Sequence, residues 1–136
     1  MFESVAFGTP AQHRGAAFGD FDGDGRVDAV VTRLNDTPVF YRNVMGEGRH
    51  WLGLKLRGTR SNRDALGAQV RVTAGGKTQF WHVTTSVGYL CSSEKTIHVG
   101  LGAEATAEMV EVTWPTGRKQ VLHDVKGDRV VEVVEE

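Results

Sequence analysis

The stretch GDFDGDGRVD, residues 19–28, sets four aspartates within nine positions. Asp20, Asp22, Asp24 and Asp28 fall at relative positions one, three, five and nine, and Gly25 falls at position six. That is the spacing of a calcium loop, in which alternate side chains curl toward one centre and a glycine permits the sharp reversal. The Arg26 carbonyl then stands at position seven, where such loops use a backbone ligand. Oxygen-only donors suit a hard cation. Two carboxylates held ~5 Å apart at an effective dielectric of ~20 repel by roughly 3 kcal/mol, so an empty loop is costly and a divalent ion reverses the sign. The plainer alternative is a solvated acidic turn whose glycines serve only the bend. The loop departs from an EF-hand at position twelve, which is Val31 instead of glutamate, and in its flanks: AAFGDF has no helical period and VDAVVT is rich in β-branched residues. Asp28 is therefore expected as the late, bidentate ligand of a loop joining two strands.

Other residues offer weaker chemistry. DFDGDG superficially resembles the nucleophile loop of haloacid-dehalogenase-like phosphatases, with Asp20 as the attacking group, but that loop needs a buried parallel strand before it and a threonine where Asp24 stands. Cys91, beside Ser92 and Ser93 and near His98, has no evident third group to orient a base. His13, His50, His82, His98 and His123 are scattered, none at a metal-ligand spacing from another. GLG at residues 100–102 lacks the third glycine and following helix of a dinucleotide fingerprint and reads as a turn. Arg57, Arg60 and Arg63 surround a turn in RGTRSNRDA that could hold a sulfate, phosphate or acidic sugar; a solvated loop set by Arg63 and Asp64 is the preferred reading. Trp51, Trp81 and Trp114 could stack on carbohydrate if exposed, though their place in strands favours a core role. Asn35-Asp36-Thr37 is an N-glycosylation acceptor pattern, meaningful only on a eukaryotic secretory route.

The elements that must position these residues are strands. Alternation of apolar and polar residues recurs nearly everywhere and helical periodicity almost nowhere. GAAFG, DAVVTR, PVFYRN, HWLGLKLR, AQVRVTA, KTQFWHVTT, KTIHVGL, EMVEVTW, KQVLHDV and RVVEVVE read as strands, separated by turn-rich segments such as LNDTP, AGG, PTG and KGD. Only GAEATAEM could begin a short helix, with too few apolar positions to bury a face. The expected fold is all-β: an antiparallel β-sandwich between Leu52 and Val134, preceded by a calcium-loop β-hairpin. NVMGEG marks the joint between them.

Composition narrows the function classes. The 136 residues carry 16 Lys and Arg against 17 Asp and Glu, a net charge of −1, so no global field points to nucleic acid or an anionic membrane. No apolar run approaches the ~18 residues of a membrane span. The opening MFESVAFGTPAQHRG lacks the basic end and apolar stretch of a secretory signal. A single cysteine excludes an internal disulfide and a cysteine zinc cluster.

AAFGDFDGDGRVDAVVTRLNDTPVFYRN resembles one FG-GAP (VCBS) repeat, and HWLGLKLRGTRSNRDALGAQVRVTAGGKTQF, GYL, HVGLG and VEVTWPTGRKQVL resemble the ASPIC/UnbV domain that follows such repeats. The resemblance implies residues 1–14 as an N-terminal extension, 15–45 as the calcium-loop hairpin and 50–136 as the ASPIC/UnbV β-sandwich. It further implies a secreted, calcium-stabilised binding, adhesion or scaffold module without catalysis, with Ca²⁺ held by Asp20, Asp22, Asp24, the Arg26 carbonyl and Asp28. A single repeat, where relatives carry several, leads to the expectation that the chain is the C-terminal part of a longer extracellular protein. The expected partner is a protein or carbohydrate. A monomer with the hairpin docked by Val30, Val39 or Tyr41 is favoured over a domain-swapped dimer. A ligand-binding accessory role in a biosynthetic pathway is the alternative, and a hydrolase using Asp20 comes after it.

Overall fold

The computed structural model describes residues 11–46 and 48–136. Most of the expected N-terminal extension, residues 1–10, and residue 47 of the expected joint lie outside the described residues. Ten strands follow in order: β1 (His13–Gly19), β2 (Asp28–Arg33), β3 (Asp36–Tyr41), β4 (His50–Arg57), β5 (Gln69–Ala74), β6 (Lys77–His82), β7 (Ile97–Gly102), β8 (Thr106–Thr113), β9 (Lys119–Lys126) and β10 (Arg129–Val134). Among the described residues there is no helix. The segment GAEATAEM, the one candidate for a helix start, instead turns into β8. The chain divides into two units. The smaller holds the described residues up to 46 together with Ser86–Glu94, and the larger holds Gly48–Thr85 and Lys95–Glu136.

In the larger unit, a three-stranded sheet in the order β10-β4-β7 and a four-stranded sheet in the order β6-β5-β8-β9 enclose one core. Period-two alternation supplies both inner faces: Leu52, Leu54 and Leu56 from β4 and Ile97, Val99 and Leu101 from β7 on one side; Val70 and Val72 from β5 and Val110 and Val112 from β8 on the other. Each fully buried Val or Leu side chain contributes about 1.5–3 kcal/mol of apolar burial. Gly75 and Gly76, both at positive φ, make the tight β5–β6 turn that the AGG segment predicts.

One pairing departs from an all-antiparallel sandwich. β10 runs parallel to β4, with Arg129 opposite Leu52 and Val134 opposite Arg57. A parallel neighbour needs a long crossover, and here that crossover is the intervening run of strands β5 to β9.

The smaller unit is a three-stranded antiparallel meander, β1-β2-β3. Its apolar rows, such as Ala17–Val30–Phe40 and Ala16–Val31–Val39, are at most half-buried; every buried hydrophobic among the described residues belongs to the larger unit. The edge of β1 is joined by the 93–94 segment, where the Glu94 amide donates to the Phe18 carbonyl at 2.9 Å and the Phe18 amide donates to Ser93 Oγ at 3.1 Å.

Candidate metal centre

The aspartate loop connects β1 to β2, so its first and last residues are fixed by a strand pair: Gly19 lies opposite Asp28 in the register. Between them Gly23 and Gly25 adopt φ of 76° and 84°, the left-handed region that side-chain-bearing residues enter at a cost. Asp20 organises the bend. Its Oδ1 accepts from the amides of Gly23 (2.8 Å) and Asp24 (3.1 Å), and its Oδ2 accepts from the amide of Gly25 (2.8 Å). Its own amide donates to Glu94 Oε2 at 3.0 Å.

Carboxylate oxygens of Asp20, Asp22 and Asp28 lie within 4.8 Å of one another. Asp28 is only 1% exposed. Burying a carboxylate there is tolerated because Oδ1 accepts the Asn43 amide at 2.7 Å and Oδ2 the Phe21 amide at 3.2 Å. Phe21 and Phe40 meet edge to face beside it, with ring centres 5.5 Å apart.

Asp24 is turned elsewhere. Its carboxylate pairs with the Arg26 guanidinium, and Oδ1 also accepts the Arg26 amide at 2.9 Å. Burial works to raise the Asp24 pKa; the amide and charge of Arg26, with a hydrogen bond shared with Asp22, outweigh it and hold the group below its ordinary value. Arg42 reaches in from beyond β3, 2.7 Å from Asp22 Oδ2 and 3.6 Å from Asp24 Oδ2. Arg26 Nε in turn donates to the Asn43 carbonyl at 2.9 Å. The carboxylates of Asp20, Asp22, Asp24 and Asp28, with Glu94 Oε2 close by, outnumber the guanidiniums of Arg26 and Arg42, leaving net negative charge that a cation would offset. The donor set is all oxygen, which fits calcium or magnesium and not a thiolate- or imidazole-seeking metal.

The sequence pattern thus locates the loop and three converging carboxylates. Arg42, Asn43 and Glu94 were not legible, since each arrives through tertiary structure and none has a local signal. The partner of Asp24 lies only two residues away: Arg26, expected to contribute its carbonyl, instead engages that carboxylate through its guanidinium and amide.

The remaining candidates fall as follows. β1 pairs antiparallel with β2, so Asp20 does not follow the parallel strand a phosphatase loop requires. The Cys91 thiol donates to the Tyr89 carbonyl at 3.2 Å in the smaller unit, while His98 sits on β7 of the larger. Trp114 is 2% exposed, a core residue whose Nε1 donates to Gln120 Oε1 at 3.0 Å. Trp81 on edge strand β6 is 37% exposed. The most open ring on the sandwich is Phe80, 69% exposed, with the Arg71 guanidinium 5.0 Å from its centre. It borders an open groove of about 590 Å³ that also takes in Gln69, Glu111 and Lys119. In the arginine loop, Arg57 pairs with Glu132 at 3.4 Å and Asp64 with Lys95 at 2.6 Å. The loop amides are occupied by Glu135. Asn35 is exposed in the β2–β3 turn at φ 54°.

Comparison with known proteins gives one family and a group of relatives. A family described as ASPIC and UnbV matches residues 58–136. Cartilage acidic protein 1 of Mus musculus is 34% identical over 125 residues, covering 89% of this chain and 19% of that protein. The Homo sapiens protein of the same name is 34% identical over 125 residues, covering 89% and 18%. That of Xenopus tropicalis is 32% identical over 108 residues, covering 76% and 16%. The chain spans less than a fifth of the length of these relatives, and the alignments reach beyond the family segment.

Proposed function

The chain belongs to the ASPIC and UnbV family, and from that premise we propose that it is a calcium-stabilised, non-catalytic binding or scaffold module of an extracellular protein. The observation that carries the reading is the convergence of Asp20, Asp22 and Asp28 on one point of the β1–β2 loop. The relatives' name, which places them with cartilage, supports the extracellular part. The resemblance of residues 15–45 to an FG-GAP repeat supports the calcium part.

Asp20, Asp22 and Asp28 would hold the ion, with Asp24 joining on release from Arg26 and the Arg26 carbonyl at the seventh position. Calcium would supply fixed positive charge, relieving carboxylate repulsion and setting the loop. Its role is structural: the meander has few fully buried groups of its own, so the loop that joins β1 to β2 governs how well those strands hold their register. The test is a melting curve of the protein with calcium and with chelator, repeated on Asp22→Ala. A calcium-dependent rise lost in the variant supports the reading; superimposable wild-type curves overturn it.

A second reading, a ligand-binding accessory domain, is favoured by the Phe80 groove. Phe80 offers an apolar ring face, and Arg71, Glu111 and Lys119 beside it form a charged row, with Glu111 Oε1 3.4 Å from Arg71 and 3.5 Å from Lys119. Phe80→Ala should abolish ligand retention on this reading and leave the calcium response untouched.

A further inference from the structure

The β4–β5 loop is built around a small anion. Three consecutive amides, those of Thr59, Arg60 and Ser61, donate to the same oxygen, Oε2 of Glu135, at 3.0, 2.9 and 2.7 Å. The other oxygen, Oε1, accepts from the hydroxyls of Ser61 and Thr116, each at 2.9 Å. The backbone on either side is also tied down: Thr59 Oγ1 donates to the Glu135 carbonyl at 2.9 Å and the Glu135 amide donates to the Arg57 carbonyl at 2.9 Å. Successive amides that converge on one point form a concave nest, the arrangement that holds phosphate and other oxyanions in unrelated proteins. Glu135 is 3% exposed, so its charge is taken largely out of water and must be satisfied by these five donors.

Contacts that do not involve Glu135 also shape the loop. Gly58 begins it where a Cβ would come within 2.2 Å of the Asn62 carbonyl oxygen, which closes the turn tightly enough to aim the three amides inward. Asn62 locks the far side, its Oδ1 accepting the Leu66 amide at 2.8 Å and its Nδ2 donating to the Leu66 carbonyl at 2.9 Å. Ala65, buried and at φ 52°, completes the bend. The RGTRSNRDALG segment is thus a receptor loop whose donors are backbone amides and hydroxyls. The arginines considered as anion ligands lie on its outer side: Arg60 and Arg63 are exposed.

We propose that the β4–β5 loop is an oxyanion-binding site which the chain fills with its own Glu135 carboxylate, and which accepts a small external oxyanion once that carboxylate is removed. In the intact chain the site works as a latch. It fastens the end of β10 to the loop that follows β4, and so fixes where Arg60 and Arg63 are displayed. This inference is independent of the metal reading.

The test is chemical rescue. The melting temperature of wild type and Glu135→Ala is measured at neutral pH in formate, acetate or sulfate, against chloride at equal ionic strength. Wild type should shift only by the general effect of each salt. Glu135→Ala should melt lower in chloride and regain most of the loss in formate or sulfate, saturably. A variant that gains no more from the oxyanions than wild type does overturns the proposal. Should Glu135→Ala fail to fold in chloride, its circular dichroism is followed as formate or sulfate is added at constant ionic strength. Folding regained saturably in the oxyanion upholds the proposal, and a chain that stays unfolded under conditions where wild type is folded overturns it.

Discussion

Individual side chains carry the sharpest consequences. Asp28 serves two masters, the carboxylate cluster and the amides of Asn43 and Phe21, so Asp28→Ala should cost about 1–3 kcal/mol through the stranded amides even in chelator, as well as abolish the calcium response. Asp22→Ala should abolish the response at little cost without calcium, because Asp22 is exposed; chemical denaturation of both variants in chelator separates the two cases. Arg42→Ala removes a positive charge from beside Asp22 and Asp24, and calorimetric titration should find calcium bound up to about five-fold more tightly, the equivalent of roughly 1 kcal/mol for an exposed ion pair. Glu135 governs acid stability. Burial raises its pKa, but the amides of Ser61 and Arg60 and the hydroxyls of Ser61 and Thr116 outweigh burial and bring it to about 2, from an ordinary 4.5. A depressed carboxyl pKa means that the folded state prefers the ionised form. The stabilisation is therefore complete above pH 4.5, erodes as pH falls toward 2, and is gone below it. Thermal melts across that window should show wild type and Glu135→Gln converging as the pH drops. The aspartates were legible because a calcium loop is a local pattern; Glu135 was not, because its partners are 74–76 residues away in sequence, with Thr116 on yet another turn.

Elements were the most legible level. All ten strands overlap the segments read as strands, and in β5, β7 and β8 burial on one face leaves a period of two in the residues themselves. Pairing was less so. That β10 lies parallel to β4 depends on how β5 to β9 travel between them, which no local pattern encodes. Two glycines offer a matched test: Gly58 opens the β4–β5 loop, whereas Gly100, in the GLG segment expected as a turn, lies instead within strand β7, paired with β4. At Gly58 an added Cβ would meet a backbone oxygen at 2.2 Å, whereas at Gly100 it would meet nothing within 4 Å. Gly58→Ala should lower the melting temperature by many degrees and Gly100→Ala should leave it nearly unchanged. Equal effects would show that the loop yields more easily than its hydrogen bonds imply. In the core, Leu54→Ala, on a strand central to its sheet, should cost about 2–5 kcal/mol.

For the whole molecule, the distribution of buried side chains sets the order of stability. The larger unit contains every buried hydrophobic among the described residues, while the meander relies on strand pairing, the 93–94 segment and the aspartate loop. Hydrogen exchange should therefore be slowest in β4, β5 and β8 and faster in β1 to β3, with calcium slowing exchange in the smaller unit alone. The most direct measurement is a calorimetric titration of the wild-type chain with calcium, paired with a melting curve at saturation. The account predicts one ion bound per chain, a higher melting temperature, and loss of both in Asp22→Ala. No heat of binding and an unmoved melting temperature at millimolar calcium would contradict it.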